Sequence, residues 1–537
     1  MQAAPRLPAW GWLAVAGGSL LQLWLALRLP VTLLADTRHD DAWYFWRARD
    51  LAAGDWLGPY DQLTLMKGPG YPLFAALSYR LGLPVTLSQA LLYLAGVALL
   101  AHAVLQLGRS AGLAVALFLL LLLHPAIPPV RLIRDDIYAA QALILVACAV
   151  HLLLLPPGAR GRLGWAIGGG LAFAWLWVTR EEGAWILPGL ALLAGAALWR
   201  ERGRWRGLAV AAATAALALA ALAGANRLAY GSFAIVDLKD PAFNRALAAL
   251  ERVRVGERVA HVPVPARVRE AIYAESPAFA ALRPWFDGLG GSYLHSSCTT
   301  YPATCGDYAG GWFHWALRDA VAWAGHYRTP QDAAAAYRQI AGEVEAACAA
   351  GRLDCGFVPV AAVPPLPAAQ WRELPARLGA LARLLLSQQP LAPPRASRGK
   401  PGDLQAMMAA AGGPPRTAGP DDPAGTPKVG PAGQPARRVL KALDGLYRLL
   451  MPALALAAAL AGLFWLGQVA RGIRRPDGIA WLAAALWLLV LARGAVLVLI
   501  DLAAFPAVNE KYLSAAYPLL GAALLLTAAL PFRRGLR

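Results

Sequence analysis

The sequence predicts an all-α polytopic membrane protein, with about ten transmembrane helices and a mainly helical, disulfide-braced extracytoplasmic insert. Three observations carry that expectation. Of 537 residues, 58% are hydrophobic and only 15% charged, a balance foreign to soluble globular chains. The apolar residues come in blocks near ~20 long, enough to cross ~30 Å of hydrocarbon as a helix. Basic residues gather in the short loops between those blocks, where they report topology. The formal charge of +18 is therefore not a nucleic-acid signal. No basic patch with interleaved aromatics, helix-turn-helix pattern or P-loop accompanies it, and no nucleic-acid partner is expected.

The spans fall at 10–34, 84–107, 111–129, 137–155, 164–180, 184–200, 207–227, 447–469, 479–500 and 513–531. The first is too long for a signal-peptide core and lacks a small-x-small cleavage site before Asp36, so it is read as a retained helix. Threading all ten puts Arg109, Arg160 with Arg162, the run Arg200, Arg202, Arg204 and Arg206, then Arg471, Arg474 and Arg475, and finally Arg533, Arg534 and Arg537 on one side. By the positive-inside rule that side is cytoplasmic and holds both termini. The expected location is an inner (plasma) membrane. Four segments divide the chain: an N-terminal transmembrane module 1–227 (spans one to seven), an insert 228–388, a Pro/Gly/Ala linker 389–435 expected to be disordered, and C-terminal spans 436–537. Arg437, Arg438, Lys441 and Arg448 break the charge rule at the outer end of the eighth span, and an amphipathic helix on the outer leaflet would accommodate them.

Cysteine placement agrees with an oxidising side for the insert. Cys298 and Cys305 are seven apart, as are Cys348 and Cys355. Of the three connectivities, local pairing is preferred. The spacing is too wide for a usual zinc knuckle. Cys148 is intramembrane and packs. Within the insert, helices are expected over 241–252, 265–283, 309–325 and 331–350. The aromatics Trp312, Phe313 and Trp315 are expected to pack its core, or else to stack on a sugar. His102, His124 and His151 are read as packing residues, and His314 and His326 have no metal-ligand spacing.

Ionisable residues cluster at the outer ends of four spans, where burial is costly unless they are paired or wet. These are His39-Asp40-Asp41, Arg131 to Tyr138 (including Arg134, Asp135 and Asp136), Arg180-Glu181-Glu182, and Asn509-Glu510-Lys511-Tyr512. Together they suggest one outward-facing polar cavity. Adjacent helical residues point ~100° apart, so only one of Asp40 and Asp41 is expected to face it, with the other acting as a cap. The Gly/Pro-rich segment Met66-Lys67-Gly68-Pro69-Gly70-Tyr71-Pro72 fixes the path of its loop, and with it Lys67. A held cation beside aspartates suits a phosphate. Arg493 lies inside span nine, suited equally to a structural ion pair and to a ligand phosphate.

An acidic pair in the first outer loop, followed by a Lys-x-Pro-x-Tyr segment before span two, resembles the GT-C class of membrane glycosyltransferases. The branches concerned are the protein O-mannosyltransferases and the lipid A aminoarabinose transferases. The likeness covers about 10–230 and, more loosely, 509–518. It implies a polyprenyl-phosphate-linked sugar donor, transfer on the non-cytoplasmic side, and Asp40 or Asp41 as catalytic carboxylate. By the same resemblance Lys67 contacts the donor phosphate; independently, a departing phosphate calls for cations around it, which Arg134, Arg180 and Arg493 are placed to supply. Tyr71, Asp135, Asp136, Tyr138, Arg180, Glu181 and Glu182 would line the cavity. Met66 departs from the aminoarabinose-type pattern, which has an acidic residue there. The acceptor is an unspecified glycan, lipid or protein, and no metal or cofactor is expected. A lipid-linked substrate transporter would instead line a path across the bilayer with charge and often show internal repeats, of which none is seen. A non-catalytic scaffold would make Asp40 and Asp41 dispensable.

Overall fold

A computed structural model describes residues 5–155, 161–358, 366–387, 396–412, 417–418, 427–428 and 433–533. Arg160, Arg534 and Arg537 of the topology argument, and the rest of the 389–435 segment, lie outside the described residues.

The N-terminal module contains α1 (Ala9–Arg28), α2 (Asp41–Ala53), α3 (Gly70–Arg80), α4 (Val85–Gly108), α5 (Ala111–Leu122), α6 (Asp135–Leu153), α7 (Arg162–Trp177), α8 (Leu187–Arg200) and α9 (Trp205–Tyr230). The insert follows with α10 (Pro241–Glu251), α11 (Ala266–Glu275), α12 (Pro277–Ala280), α13 (Gly291–Thr300), α14 (Gly310–Trp323) and α15 (Pro330–Ala349). Then come α16 (Ala368–Trp371), α17 (Leu374–Ser387), α18 (Pro401–Ala411), α19 (Gln434–Ala470), α20 (Gly478–Ala503) and α21 (Ala516–Ala529). Every predicted span holds a helix. Among the described residues, seven helical segments are long and apolar enough to cross a membrane, and α5 and the stretch Ala516–Phe532 are shorter apolar helices. The chain is a multi-pass membrane protein.

Two predicted spans end early, each for a local reason. The first stops at Arg28 because Pro30 disfavours helix at Leu29. Residues beyond it run extended, with Thr32 bridged to Arg131 and Leu34 to Arg398. The third stops at Leu122, ahead of Pro125, Pro128 and Pro129. Burial orders the bundle. α6 lies at its centre, with 89% of its span buried, whereas α9 and α19 present most of their surface outward, with 11% buried. α4, α7 and α8 surround α6, and α20 and α21 close the C-terminal side.

α19 corrects one expectation. It runs unbroken for 37 residues, about 55 Å at 1.5 Å per residue, well beyond the ~30 Å hydrocarbon thickness. Arg437, Arg438 and Lys441 therefore ride a continuation of the span rather than a separate surface helix. That continuation packs Ala436 on Leu25 of α1 and on Leu29 just after it. The 389–435 segment is likewise ordered in part. Ser397 and Arg398 bond to the 31–34 strand, Met407 and Ala411 are buried, and Thr86 donates its hydroxyl to the Ala411 carbonyl at 2.6 Å. Its low content of large apolar side chains conceals this docking, since small residues let α18 approach α4 closely. α17 also packs on the spans, with Leu381 against Gly494 of α20.

The insert has its own apolar core, built on Phe243, Phe279, Phe286, Phe313, Tyr337 and Ile340. Of Trp312, Phe313 and Trp315 in α14, Phe313 is fully buried, while the two tryptophans pack at the edge of the insert's core. Disulfides Cys298–Cys305 and Cys348–Cys355 are present, and Cys148 is free and buried. α13 was not legible, because its sequence is short, polar and poor in helix formers. The first disulfide and Ser297, whose Oγ accepts from Ala309 N at 3.0 Å, tie it to the start of α14. Each loop is short, so replacing either cysteine pair by alanine is expected to destabilise the insert by about 2–3 kcal/mol. Thermal unfolding in detergent measures this, and a non-reduced peptide map should link 298 to 305 and 348 to 355. Free thiols at all four positions in natively purified protein would contradict both the pairing and the oxidising side.

Candidate active site

The predicted site residues come from loops and helix ends that the fold draws together. The Lys67 loop is seated by its glycines. A Cβ at Gly68 would collide with the Val178 carbonyl, and one at Gly70 with Thr179 Oγ1. Gly70 N–H in turn donates to the Val178 carbonyl at 3.2 Å, and Trp175 Nε1 to the Gly70 carbonyl at 2.9 Å. Only glycine permits this approach, and it sets Lys67 beside the Arg180-Glu181-Glu182 segment.

Asp40 and Asp41 part company. Asp40 Oδ1 accepts from Lys67 Nζ at 3.0 Å and Oδ2 from Lys511 Nζ at 3.1 Å. Its side chain stays 35% exposed. Asp41 is fully buried and takes a two-pronged bond from Arg131, with Nε on Oδ1 at 3.0 Å and Nη2 on Oδ2. Neither side chain caps α2, so the expectation of a structural cap is replaced by a buried ion pair. Lys67 also donates to the His39 carbonyl and lies over the rings of Tyr44 (5.2 Å) and Trp315 (5.9 Å). Burial pushes the Lys67 ammonium down to about 8 despite Asp40. Burial works the other way on Asp40, but Lys511 and then Lys67 outweigh it and hold the carboxyl well below the ordinary range.

Arg134 also faces the Tyr44 ring, its guanidinium carbon 6.0 Å from the ring centroid. It donates to Glu181 Oε1 and Oε2 at 2.9 and 2.7 Å and to the Thr179 carbonyl at 3.2 Å. Glu181 also accepts from Gly68 N at 3.4 Å. Asp40, Lys67, Arg134 and Glu181 thus form one connected group. Tyr71 backs it, buried against Tyr44 at 5.3 Å and accepting from Gln89 at 3.0 Å.

A second group lies deeper. Arg180 bonds Asp135 and, at 2.6 Å, Glu182, while Glu182 also accepts from Arg493 Nη1 at 3.2 Å. Burial opposes the Glu182 charge, yet Arg180 and Arg493 keep its carboxyl far below the usual range. Arg493 is fully buried, sits between Tyr138 and Trp185 at 5.6 Å from each ring, and donates from Nε and Nη2 to the Tyr512 carbonyl. All three of its nitrogens are engaged, Nη1 in an ion pair with Glu182. Tyr138 accepts from Trp185 at 2.9 Å. Asp136 has one buried oxygen without a partner. Among the described residues no group of three His, Cys, Asp or Glu is arranged to hold a metal.

Three contributors were not assigned a role from sequence. Lys511 and Arg131 stood in the charged clusters, but nothing local revealed which aspartate each would meet. The insert also reaches the site: Trp315 stacks near His39 at 5.4 Å, and Tyr293 Oη meets His39 Nε2 at 2.7 Å. A separate cavity of about 220 Å³ lies in the insert, lined by Tyr60, Asp237, Arg318, Tyr327 and Tyr337, and includes none of the cluster.

No family model and no curated protein matches the chain. Among solved structures it is similar to crystal structures of ArnT from Cupriavidus metallidurans. The apo form is 17% identical, covering 98% of this chain and 78% of that one, with a TM-score of 0.33. The form bound to undecaprenyl phosphate is 16% identical, covering 98% and 79%, also with a TM-score of 0.33. A likeness that loose carries no chemistry from one chain to the other.

Proposed function

We propose that the chain is a GT-C-like glycosyltransferase that moves a sugar from a polyprenyl phosphate to a hydroxyl acceptor on the non-cytoplasmic face, where the insert lies. The observation that carries this reading is one carboxylate, Asp40, gripped by two lysines, with a third cation, Arg134, facing the Tyr44 ring that Lys67 also faces. A sugar joined through C1 to phosphate already has a good leaving group. Displacement needs cations where charge gathers on the departing phosphate and a base for the incoming hydroxyl.

Asp40 neutralises Lys67 and Lys511, and they in turn make it a poor base. The donor phosphodiester carries one charge, as a carboxylate does, and gains a second as its bond to C1 breaks, so it would draw both ammonium groups onto itself as the transfer proceeds. Asp40 is then released, its basicity returns, and it takes the acceptor proton while the hydroxyl oxygen attacks C1 and inverts it. The donor thus prepares its own base. Arg134, already paired with Glu181, supplies fixed positive potential beside the phosphate. Asp41–Arg131 and the Arg180–Asp135–Glu182–Arg493 group hold the walls. A transporter reading gains little, because the argued cations meet at one end of the bundle.

The test is transfer from a radiolabelled polyprenyl-phosphate sugar in membranes. Wild type is expected to transfer, and Lys67→Ala to raise the apparent KM for donor and lower kcat, since the phosphate is bound in ground and transition states alike. Wild type that binds the lipid yet transfers from no donor would favour the transporter or scaffold.

A further inference from the structure

The cavity of about 220 Å³ in the insert is lined in part by a guanidinium that its own chain does not satisfy. Arg318 of α14 is only 1% exposed. Its Nη2 donates to the Gln62 carbonyl at 2.6 Å and, loosely, to Asp237 Oδ2 at 3.4 Å. Nε and Nη1 are buried and meet no acceptor among the described residues. A guanidinium stays charged and offers only donors, so leaving these unmatched beside the Phe243 and Tyr327 rings is costly. The neighbouring Asp319 turns elsewhere, accepting from the Tyr293 hydroxyl at 2.7 Å on the His39 side. Adjacent residues of one helix thus serve two different places.

The rest of the lining says what would match those donors. Asp237 lies beside Arg318, its Oδ2 also accepting from the Tyr60 hydroxyl at 3.2 Å, and its N–H donates to the Leu65 carbonyl at 2.7 Å. The charged lining residues are Asp237, Asp240, Arg318 and Arg338, two of each sign. A carboxylate or phosphate entering beside Arg318 would also face the aspartates, and an ammonium would face the arginines. A hydroxyl suits both, because it accepts from a guanidinium and donates to a carboxylate at once. The rings of Tyr60, Phe243, Tyr327 and Tyr337 supply apolar wall, which suits the C–H faces of a sugar. The volume falls below the ~300 Å³ at which pockets for drug-sized ligands begin, so it admits one small ring and not a lipid. Gln331 and Arg338, both exposed, stand at its edge and leave a way in from solvent.

We infer that this cavity is a binding site for one uncharged sugar ring, held between Arg318 and Asp237 and separate from the Asp40 cluster. A ring hydroxyl accepts from Arg318 and donates to Asp237, replacing one long contact by two charge-assisted bonds. The inference stands whether or not the chain transfers sugar, because no residue of the cluster lines the cavity.

Calorimetry on the full-length protein in nanodiscs, free of sugar-based detergent, reads the binding. The probes are the methyl glycosides of glucose, galactose, mannose and N-acetylglucosamine, with methyl glucuronide as the charged comparison. At least one neutral glycoside should bind with a Kd on the order of 1 mM, since one ring anchors few groups, and more tightly than the glucuronide. Arg318→Lys keeps the charge but loses Nε and the planar fork, and should weaken binding by about 10–10²-fold. Ala334→Trp, at a half-buried position on the cavity wall, should fill the space and abolish binding. Hydrogen exchange locates the sugar on unaltered protein: the glycoside should slow exchange in peptides covering 231–240 and 327–338. Slowing confined to 37–44 would put the sugar at the Asp40 cluster and overturn the inference. So would binding by none of the four neutral glycosides, tighter binding of the glucuronide, or equal binding by wild type and Ala334→Trp. None of these outcomes depends on transfer, which the radiolabelled assay reads separately.

Discussion

Asp40→Asn is expected to lower turnover by about 10²–10⁴-fold while donor binding is largely kept. Asparagine preserves size and one oxygen acceptor but cannot take a proton. It also leaves Lys67 and Lys511, now 3.0 and 3.1 Å from the two carboxylate oxygens, without an anionic partner. Free of that competitor, both lysines are more available to a phosphate. Donor affinity should therefore hold or rise as kcat collapses. The split separates a base from a merely structural aspartate, whose loss would weaken both. Full transfer by Asp40→Asn would remove the carboxylate from the mechanism.

Asp41→Asn should fail differently. Asp41 is fully buried and its two oxygens are both taken by Arg131. Losing the charge leaves a guanidinium facing a neutral amide, and breaking such a pair from one side costs 3–5 kcal/mol. Arg131 is 24% exposed, so water relieves part of this and about 3 kcal/mol is expected. Thermal unfolding in detergent reads it. Asp41→Asn combined with Arg131→Gln should recover much of the loss, because the unpaired charge goes with the partner. The two neighbouring aspartates thus predict opposite phenotypes, activity without stability for Asp40 and stability first for Asp41. If Asp41→Asn unfolds like wild type, the buried pair is not holding the wall.

Each of these assignments needed the fold. Apolar blocks near span length were enough to place the membrane helices, because crossing a bilayer imposes length and hydropathy on contiguous residues. The first-loop aspartates and Lys67 stood out because a Gly/Pro-rich loop and adjacent acids are local patterns. Pairing is not local. Lys511 meets Asp40 across 471 residues and Arg131 meets Asp41 across 90, and neither partner has a spacing that could announce it. The same holds for Arg493 with Glu182, 311 residues apart. α18 escaped notice for a packing reason, since its alanines are poor in apolar area yet fit closely against α4. The insert's cysteine pairs and its Trp312, Phe313 and Trp315 stood out in the sequence, but nothing in them pointed to Tyr293 or Asp319. Its contribution to the site, Tyr293 with Asp319, is visible only in the geometry around His39.

The central claim is that Lys67 and Lys511 exchange Asp40 for a phosphate at the head of a polyprenyl chain. The most direct test is the affinity of purified protein for a polyprenyl phosphate in nanodiscs, read by titration for wild type and for Lys67→Ala combined with Lys511→Ala. Wild type should bind, more weakly as pH rises through about 8, where Lys67 gives up its proton. The double variant should lose on the order of 10²-fold, as two charge-assisted bonds of about 1.5 kcal/mol each would give. Equal affinity in wild type and the double variant would contradict the account.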